Sequence, residues 1–329
     1  MIGFDDRLAR AHASMALRTL VLALGFSIVA DVRGVGATLL LTSLRLVIAA
    51  VVLLPFVWRA GETLPATAEA ALYGLLGLFQ AAFYGGMFWA AQRIGAVSMS
   101  VLYVSVPFVT FCLGLVFGVE RPSASLAVTL AIGAGGALLL TFAQGGPAHG
   151  AMQLRGAELV YFGGCVALAF YSVLTRWGLS RDYLSGNAAV RSFWSILVGA
   201  LLVGALGLFR ETPQALLRLM PKDLLSLAYL GAVSTAGTVW LLQKAAPILS
   251  PATAMAYSYA PSFVSMALLA VTDPASISWR WLPGSGLILL AMALLLRRDF
   301  RRSRGSSVRE GGAGTSMHSV PSSVRSTGV

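Results

Sequence analysis

Arg45 is the ionisable residue that lies deepest inside an apolar run of this sequence. It is about eight residues into the run, which corresponds to about 12 Å along a helix. In a bilayer a charge at that depth is costly, so Arg45 is a candidate for function, and a guanidinium is suited to bind a carboxylate or a phosphate. Two structural interpretations remain open. In the first, the long side chain extends to the nearer interface. In the second, it pairs with Asp31 and so fixes two helices.

Gln80 and Tyr84 add hydrogen-bonding groups to the third apolar run. They are four residues apart and therefore share one helical face, beside glycines that let other backbones approach closely. A glutamine that faced lipid would leave its amide unsatisfied, so we expect Gln80 to point into a helix bundle. There it either lines a cavity or hydrogen bonds to a neighbouring helix.

Two prolines interrupt apolar runs, and tyrosines precede both of them. Tyr103 comes before Pro107, and Tyr257 and Tyr259 come before Pro261. Because proline frees a carbonyl one turn back, these hydroxyls either satisfy that carbonyl or reach a ligand. We predict a structural or hinge role for both prolines. The substrate-binding candidates are Arg45, Gln80, Tyr84, Tyr103, Tyr257 and Tyr259.

Acids, histidines and cysteines are placed in ways that limit the chemistry. The 13 Asp and Glu residues lie in tails, loops or the ends of apolar runs, and the three histidines lie in tails or a loop. Proton-coupled carriers commonly have a deep acid, so we expect facilitated diffusion or exchange, with Asp31 as the candidate coupling residue. Two cysteines cannot form a disulfide framework or a metal cluster. We predict no metal, no cofactor and no enzymatic activity.

The elements that hold these residues are predicted to be membrane-spanning helices. Hydrophobic residues make up 57% of the 329 residues and charged residues 11%, whereas soluble domains have about 45–50% and about 25%. A span needs about 20 apolar residues. The apolar runs predict ten spans, at 15–31, 37–58, 69–91, 96–118, 124–143, 156–176, 187–209, 223–244, 250–271 and 281–296.

The basic residues predict how the chain lies in the membrane. Seven of the 24 Lys and Arg residues follow residue 296, which is typical of a cytoplasmic anchor near anionic lipid and does not require nucleic acid. An even number of spans then places both termini in the cytoplasm. Outside this tail, we count eight basic residues on the side of the termini, Arg18 among them, and seven on the other. Arg191, near one end of its run, is predicted to anchor at the interface.

The two halves of the chain repeat several features in the same order. Each half holds five predicted spans, and because five is odd, the second copy enters the membrane in the opposite orientation. Inverted repeats of this kind place a substrate site at the membrane midplane and allow alternating access. The matched features are Arg45 and Arg191, Pro107 and Pro261, and the Gly-x-Gly pairs at 133 and 284.

These motifs resemble those of EamA-type permeases of the drug/metabolite transporter superfamily. The resemblance is carried by Leu44-Arg45 to Pro55, Gly95 to Pro107, Glu120-Arg121-Pro122, Gly133 to Gly136, Ala167 to Arg176, and Ser250 to Pro261. It implies a multi-pass cell-membrane carrier that moves a small metabolite, often by exporting amino acids or related compounds. Uptake of a sugar or nucleotide derivative and a non-transporting sensor or scaffold are the alternatives.

The predicted organisation is an all-α membrane protein with ten helices in two inverted five-helix repeats. Its partners are a small-molecule substrate and the lipid bilayer, and the oligomeric state is unknown. The segments are a tail at 1–14, repeats at 15–143 and 156–296 joined by a linker at 144–155, and a basic, disordered tail at 297–329.

Overall fold

A computed structural model of the protein describes residues 4–29, 37–61, 65, 67–91, 93–94, 96–143, 156–261, 263–264, 267 and 279–313. These residues form helices joined by short turns, with no strand among them. Eight helical stretches, two of which consist of several consecutive elements, are long and apolar enough to cross a membrane, which confirms the predicted all-α membrane class. The first and ninth predicted spans are not among the eight, and part of each lies outside the described residues.

The first half of the chain begins with a helix that starts earlier than predicted. Part of the segment predicted as an N-terminal tail is therefore helical. The predicted fourth span is divided into two helices by a turn at residues 104 and 105. The helices are α1 (Phe4–Val29), α2 (Thr38–Ala60), α3 (Thr67–Ala91), α4 (Ala96–Tyr103), α5 (Val106–Val116) and α6 (Ala124–Ala143).

The second half contains a helix with an internal change of winding. Its α9, a π-helical segment and α10 follow one another without a break, and the last helix continues past the predicted end at residue 296 into the segment predicted as a disordered tail. The elements are α7 (Gly156–Ser180), α8 (Ala188–Arg210), α9 (Pro221–Tyr229), the π segment (Leu230–Gly237), α10 (Thr238–Ala245), α11 (Pro251–Ala256) and α12 (Trp281–Ala313).

The halves pack against each other along most of their helices. α2 lies on α8 and the π segment, α3 on α7 and α8, α1 on α10, α5 on α11, and α6 on α12. Glycines permit the closest approaches. A Cβ atom added to Gly136 would lie 2.8 Å from the Gly284 carbonyl oxygen, and one added to Gly284 would lie 2.6 Å from the Leu140 nitrogen. The glycine run of α6 is thus a close-packing surface, as its sequence predicts.

Two glutamates from loops bind the start of a helix in the opposite half. Glu211 accepts hydrogen bonds from the backbone N–H groups of Leu39 and Leu40, each at 2.9 Å. Glu120 accepts one from Ala252 at 2.9 Å. The first N–H groups of a helix lack partners inside the helix and carry partial positive charge, so a carboxylate stabilises them. Ala37, at the N-cap of α2, provides no side-chain acceptor of its own.

Both predicted proline positions coincide with changes in helix geometry. Pro107 lies in the first turn of α5, and the Ser105 hydroxyl donates to the Leu102 carbonyl at 2.6 Å just before it. Ahead of Pro261 the helix winds into a 3-10 turn at Tyr257–Tyr259. The Tyr257 carbonyl, one turn before Pro261, accepts from the hydroxyl of Thr19 on α1 at 3.4 Å. Hydroxyl groups therefore satisfy carbonyls near both prolines, whereas a hinge role stays a prediction.

Candidate functional site

Arg45 lies buried between the two halves of the chain, with its side chain 5% exposed. Its Nε donates to the Thr235 hydroxyl at 2.6 Å, and its Nη2 donates to the Ser234 hydroxyl at 3.2 Å. Both acceptors are uncharged and belong to the π segment of the second half. The side chain therefore does not extend to an interface. Asp31, the other partner considered from the sequence, lies outside the described residues.

The π segment presents its hydroxyls to Arg45 because small residues let it pack directly on α2. A Cβ atom added to Gly231 would lie 2.7 Å from Ile48 Cβ and 2.9 Å from the Arg45 carbonyl oxygen. π-helical turns are uncommon and are found frequently at functional sites. Here the π-helical winding lies where the Arg45 side chain of the first half contacts the second half.

Aromatic rings on α3 cover the guanidinium of Arg45. Its Cζ atom is 5.8 Å from the centre of the Tyr84 ring and 5.3 Å from the centre of the Phe88 ring. Both distances permit cation–π attraction. The region around Arg45 therefore combines one cation, two hydroxyls and two aromatic faces, which suits a ligand with an anionic group and an apolar body.

Tyr103 joins this group through Arg18, whose position in the sequence predicted a basic residue of the tail and loops. Arg18 is 6% exposed and lies close enough to Tyr103 to interact with it electrostatically. Tyr84 interacts electrostatically with both Arg18 and Arg45. Arg18 was missed because a single arginine early in the first helix has the pattern of an interfacial residue, and only the contact with α4 distinguishes the two cases.

Gln80 points into the bundle, as predicted, and begins a second polar chain. It is buried and interacts with Tyr171, while its Oε1 atom has no hydrogen-bond partner among the described residues. The Tyr171 hydroxyl accepts from Gln243 Nε2 at 2.6 Å and lies 3.3 Å from the Ser195 hydroxyl. These contacts join α3, α7, α8 and α10.

The far end of this chain is Arg191, which is not the interfacial anchor that was predicted. Its side chain is fully buried. Nε donates to Gln243 Oε1 at 3.0 Å, and Nη2 donates to the Gln243 carbonyl at 2.6 Å. The prediction failed because the partner is 52 residues away in sequence, and a short-range pattern cannot reveal it.

A small cavity of about 10 Å³ lies beside this polar chain. That volume is enough for about one water molecule. Its polar lining comes from Tyr171, Ser172, Thr175, Arg176 and Gln243. None of these residues was among the substrate-binding candidates predicted from the sequence. The hydroxyls recur on one face of α7, which is the signal that could have found them.

Tyr257 and Tyr259 contact other elements. The Tyr257 hydroxyl is 2.9 Å from His12 Nδ1. The Tyr259 ring packs on Gly133, where an added Cβ would lie 2.5 Å from Cδ2, and its hydroxyl has no hydrogen-bond partner among the described residues. The six candidate residues thus fall into separate groups, with Arg45, Tyr84 and Tyr103 in one and Gln80 leading to the polar chain.

His12 is buried, although its position in the sequence predicted a residue of the tail. Its Nε2 atom lies 3.7 Å from Asp299 Oδ2, and its ring lies near Tyr257 and Phe300. Burial lowers the pKa of His12 to about 4 because desolvation disfavours the charged imidazolium. Among the described residues, no group of three or more His, Cys, Asp or Glu side chains could hold a metal ion.

Comparisons with known proteins cover most of the chain. The model of the EamA-like transporter family matches residues 13–142 and 155–297. One solved structure, titled "Crystal structure of protein", is similar with a TM-score of 0.70 and 18% sequence identity, and the match covers 86% of this chain and 98% of that one. At that identity the likeness shows the fold alone. No curated protein matches the sequence.

Proposed function

This chain belongs to the EamA-like transporter family, and from that premise we propose that it exports a small amphipathic metabolite bearing a carboxylate, such as an amino acid or a related compound. Membership makes the protein a multi-pass membrane transporter of the drug/metabolite type. The family does not define the substrate, because one fold carries many functions and the site must supply the argument.

The observation that carries the proposal is the environment of Arg45. A buried cation is costly unless it is paired, and in the described part of the chain Arg45 is bound by two neutral hydroxyls and covered by two rings. A substrate carboxylate would compensate the charge, and the faces of Tyr84 and Phe88 would contact an apolar body. Gln80 Oε1, which has no hydrogen-bond partner in the described part of the chain, is an acceptor suited to an ammonium group.

Alternating access would change the environment of Arg45 directly. The guanidinium belongs to the first half of the chain, and its two hydroxyl partners belong to the second. We propose ten spans in two inverted repeats, which the two segments matched by the family model support. Rocking one repeat against the other would then separate Arg45 from these hydroxyls. The proposed transport is facilitated diffusion or exchange, with Asp31 as the candidate for any coupling.

We propose that both termini are cytoplasmic, and the support comes from the C-terminal arginines alone. The burial of Arg18 removes it from the basic residues counted on the side of the termini. Outside the tail the count then becomes seven on each side, which favours neither orientation. The seven basic residues after residue 296 therefore carry the orientation.

Transport by the purified protein in proteoliposomes tests the proposed substrate class. A panel of labelled amino acids is compared with the matching amides, which lack the carboxylate. We expect Arg45→Gln to lower transport of the amino acids by about tenfold or more, since a charge-assisted hydrogen bond contributes about 1.5–3 kcal/mol. Transport of the amides should change far less, and Arg45→Lys should retain part of the activity.

Arg59→Gln is the matched control, because Arg59 lies on the same helix and is exposed. It should transport amino acids at the wild-type rate. If Arg45→Gln reduced acids and amides equally, the guanidinium would not be binding a carboxylate, and the proposed substrate class would be wrong.

A further inference from the structure

Arg18 is a buried cation whose hydrogen-bonding capacity is mostly unused. The side chain is 6% exposed, and it interacts electrostatically with Tyr103. Its Nε and Nη1 atoms are buried and have no hydrogen-bond partner among the described residues. An arginine in such surroundings leaves several donors unsatisfied, which is costly unless a ligand accepts from them.

Arg18 and Arg45 approach the same phenol from different helices. Tyr84 interacts electrostatically with both guanidinium groups, and the Tyr84 ring also covers Arg45. Neither arginine forms an ion pair with a carboxylate within the described residues. Two buried cations that share one neighbour repel each other, and the low dielectric of the interior strengthens that repulsion.

We propose that this site takes a dianion, with one negative charge for Arg45 and the second for Arg18. The inference rests on the proposed function, and it specifies that the anionic part of the substrate carries two negative charges. A monoanion would neutralise one guanidinium and leave the other uncompensated, whereas a dianion neutralises both. A dicarboxylate and a phosphate monoester share this chemistry.

The two tyrosines have a positioning role in this proposal. Tyr103 interacts electrostatically with Arg18, and Tyr84 does so with both cations, so each phenol would help to keep a guanidinium within the site. Phenol rings supply polarisable faces without introducing a negative charge that would compete with the substrate. An acid in place of either tyrosine would pair with the arginines permanently.

Charge-matched ligand pairs test the proposal with the full-length protein in detergent. Succinate and glutarate are each compared with the monomethyl ester, and methyl phosphate is compared with dimethyl phosphate. The apparent Kd comes from the shift of the unfolding temperature with ligand concentration. We expect at least one dianion to bind wild type at least tenfold more tightly than its monoanionic partner. The pair that shows the preference distinguishes a dicarboxylate from a phosphate site.

Arg18→Gln should abolish this preference and leave the affinity for the monoanion within about twofold, since only the second charge loses its partner. Arg18→Lys should keep most of the wild-type preference for the dianion, and this variant keeps the test decisive if the glutamine variant does not fold. Arg10→Gln, at an exposed position of the same helix, is the matched control and should behave as wild type.

Three results would overturn the inference. They are equal affinity for both members of every pair in wild type, a dianion preference that survives Arg18→Gln, and equal loss of both ligands in that variant. Arg45→Gln separates this failure from failure of the proposed function. If Arg45→Gln weakens the monoanions but Arg18→Gln has no effect, only the dianion inference fails. If Arg45→Gln leaves all ligands unchanged, the proposed function fails as well.

Discussion

Gly231 offers a test of how the π segment supports the candidate site. The residue packs on α2 at the level of Arg45, and an added methyl would lie 2.7 Å from both Ile48 Cβ and Ile48 Cγ2 and 2.9 Å from the Arg45 carbonyl oxygen. Carbon atoms in contact are normally about 3.5–4.0 Å apart. Gly231→Ala therefore forces the π segment to move away from α2 by a large part of an ångström. The hydroxyls of Ser234 and Thr235 would move with it.

The expected cost has two parts. Overpacking of a close contact costs about 1–3 kcal/mol, and weakening the hydrogen bonds to a charged group adds about 1 kcal/mol or more. Alanine is favoured over glycine in a helix by about 1 kcal/mol, which offsets part of this loss. We expect Gly231→Ala to lower the free energy of unfolding by about 1–3 kcal/mol and to weaken binding of anionic ligands.

Gly237 provides the matched control at the other end of the same π segment. A Cβ atom added there has no atom within 4 Å, so Gly237→Ala should leave stability unchanged or raise it by up to about 1 kcal/mol. Unfolding of both purified variants is measured in the same detergent, together with the affinity for the anionic probes. Equal stability of the two variants would show that contact between the π segment and α2 does not hold Arg45 in place.

Three further predictions concern other parts of the fold. The unfolded imidazole of His12 titrates near pH 6.5, whereas its folded pKa is about 4, so acid favours the unfolded state. The free energy of unfolding should fall by about 2 kcal/mol as the pH is lowered from 6.5 to 4. The His12→Asn variant should not show this dependence when unfolding is measured across the same pH range. Glu120→Ala removes the acceptor of the Ala252 N–H group and should cost about 1 kcal/mol in denaturant unfolding. The matched control is Glu69→Ala, in the first turn of α3, which should lower the free energy of unfolding by less than about 0.5 kcal/mol. Gln243→Ala removes the acceptor of Arg191 Nε and the amide that donates to the Tyr171 hydroxyl and should cost about 3 kcal/mol, and an unchanged unfolding midpoint would contradict this.

The sequence predicted the elements of the fold better than the partners of the buried polar groups. Apolar runs bounded by charges locate most helices, because a bilayer requires long stretches of similar composition. Pro107 marks the division between α4 and α5, and Gly133 to Gly136 mark a packing surface. The end of α12 was missed, since the apolar pattern ends at residue 296 and the helix continues through a basic, polar extension.

The candidate site was predicted in part. Arg45, Gln80 and Tyr84 were found because polar groups deep in apolar runs are rare and need partners. Arg18 and Arg191 were taken for tail, loop or interfacial residues, since both lie near the ends of their apolar runs. Whether such a residue reaches lipid headgroups or turns inward depends on helices distant in sequence, and a single sequence does not encode that pairing locally.

The carboxylate of Glu211 has a consequence for the order in which the protein is assembled. It binds the first turn of α2 but follows Leu39 by 172 residues in the chain. At about 5–20 residues per second, synthesis reaches Glu211 about 10–30 s after Leu39. During that interval the start of α2 lacks its acceptor, so the newly made first half is left incomplete until the second half emerges. For α11 the order is reversed, because its acceptor Glu120 is made first and the donor, the Ala252 N–H group, follows later. Two halves produced as separate polypeptides should therefore accumulate stably only when both are present in the same membrane.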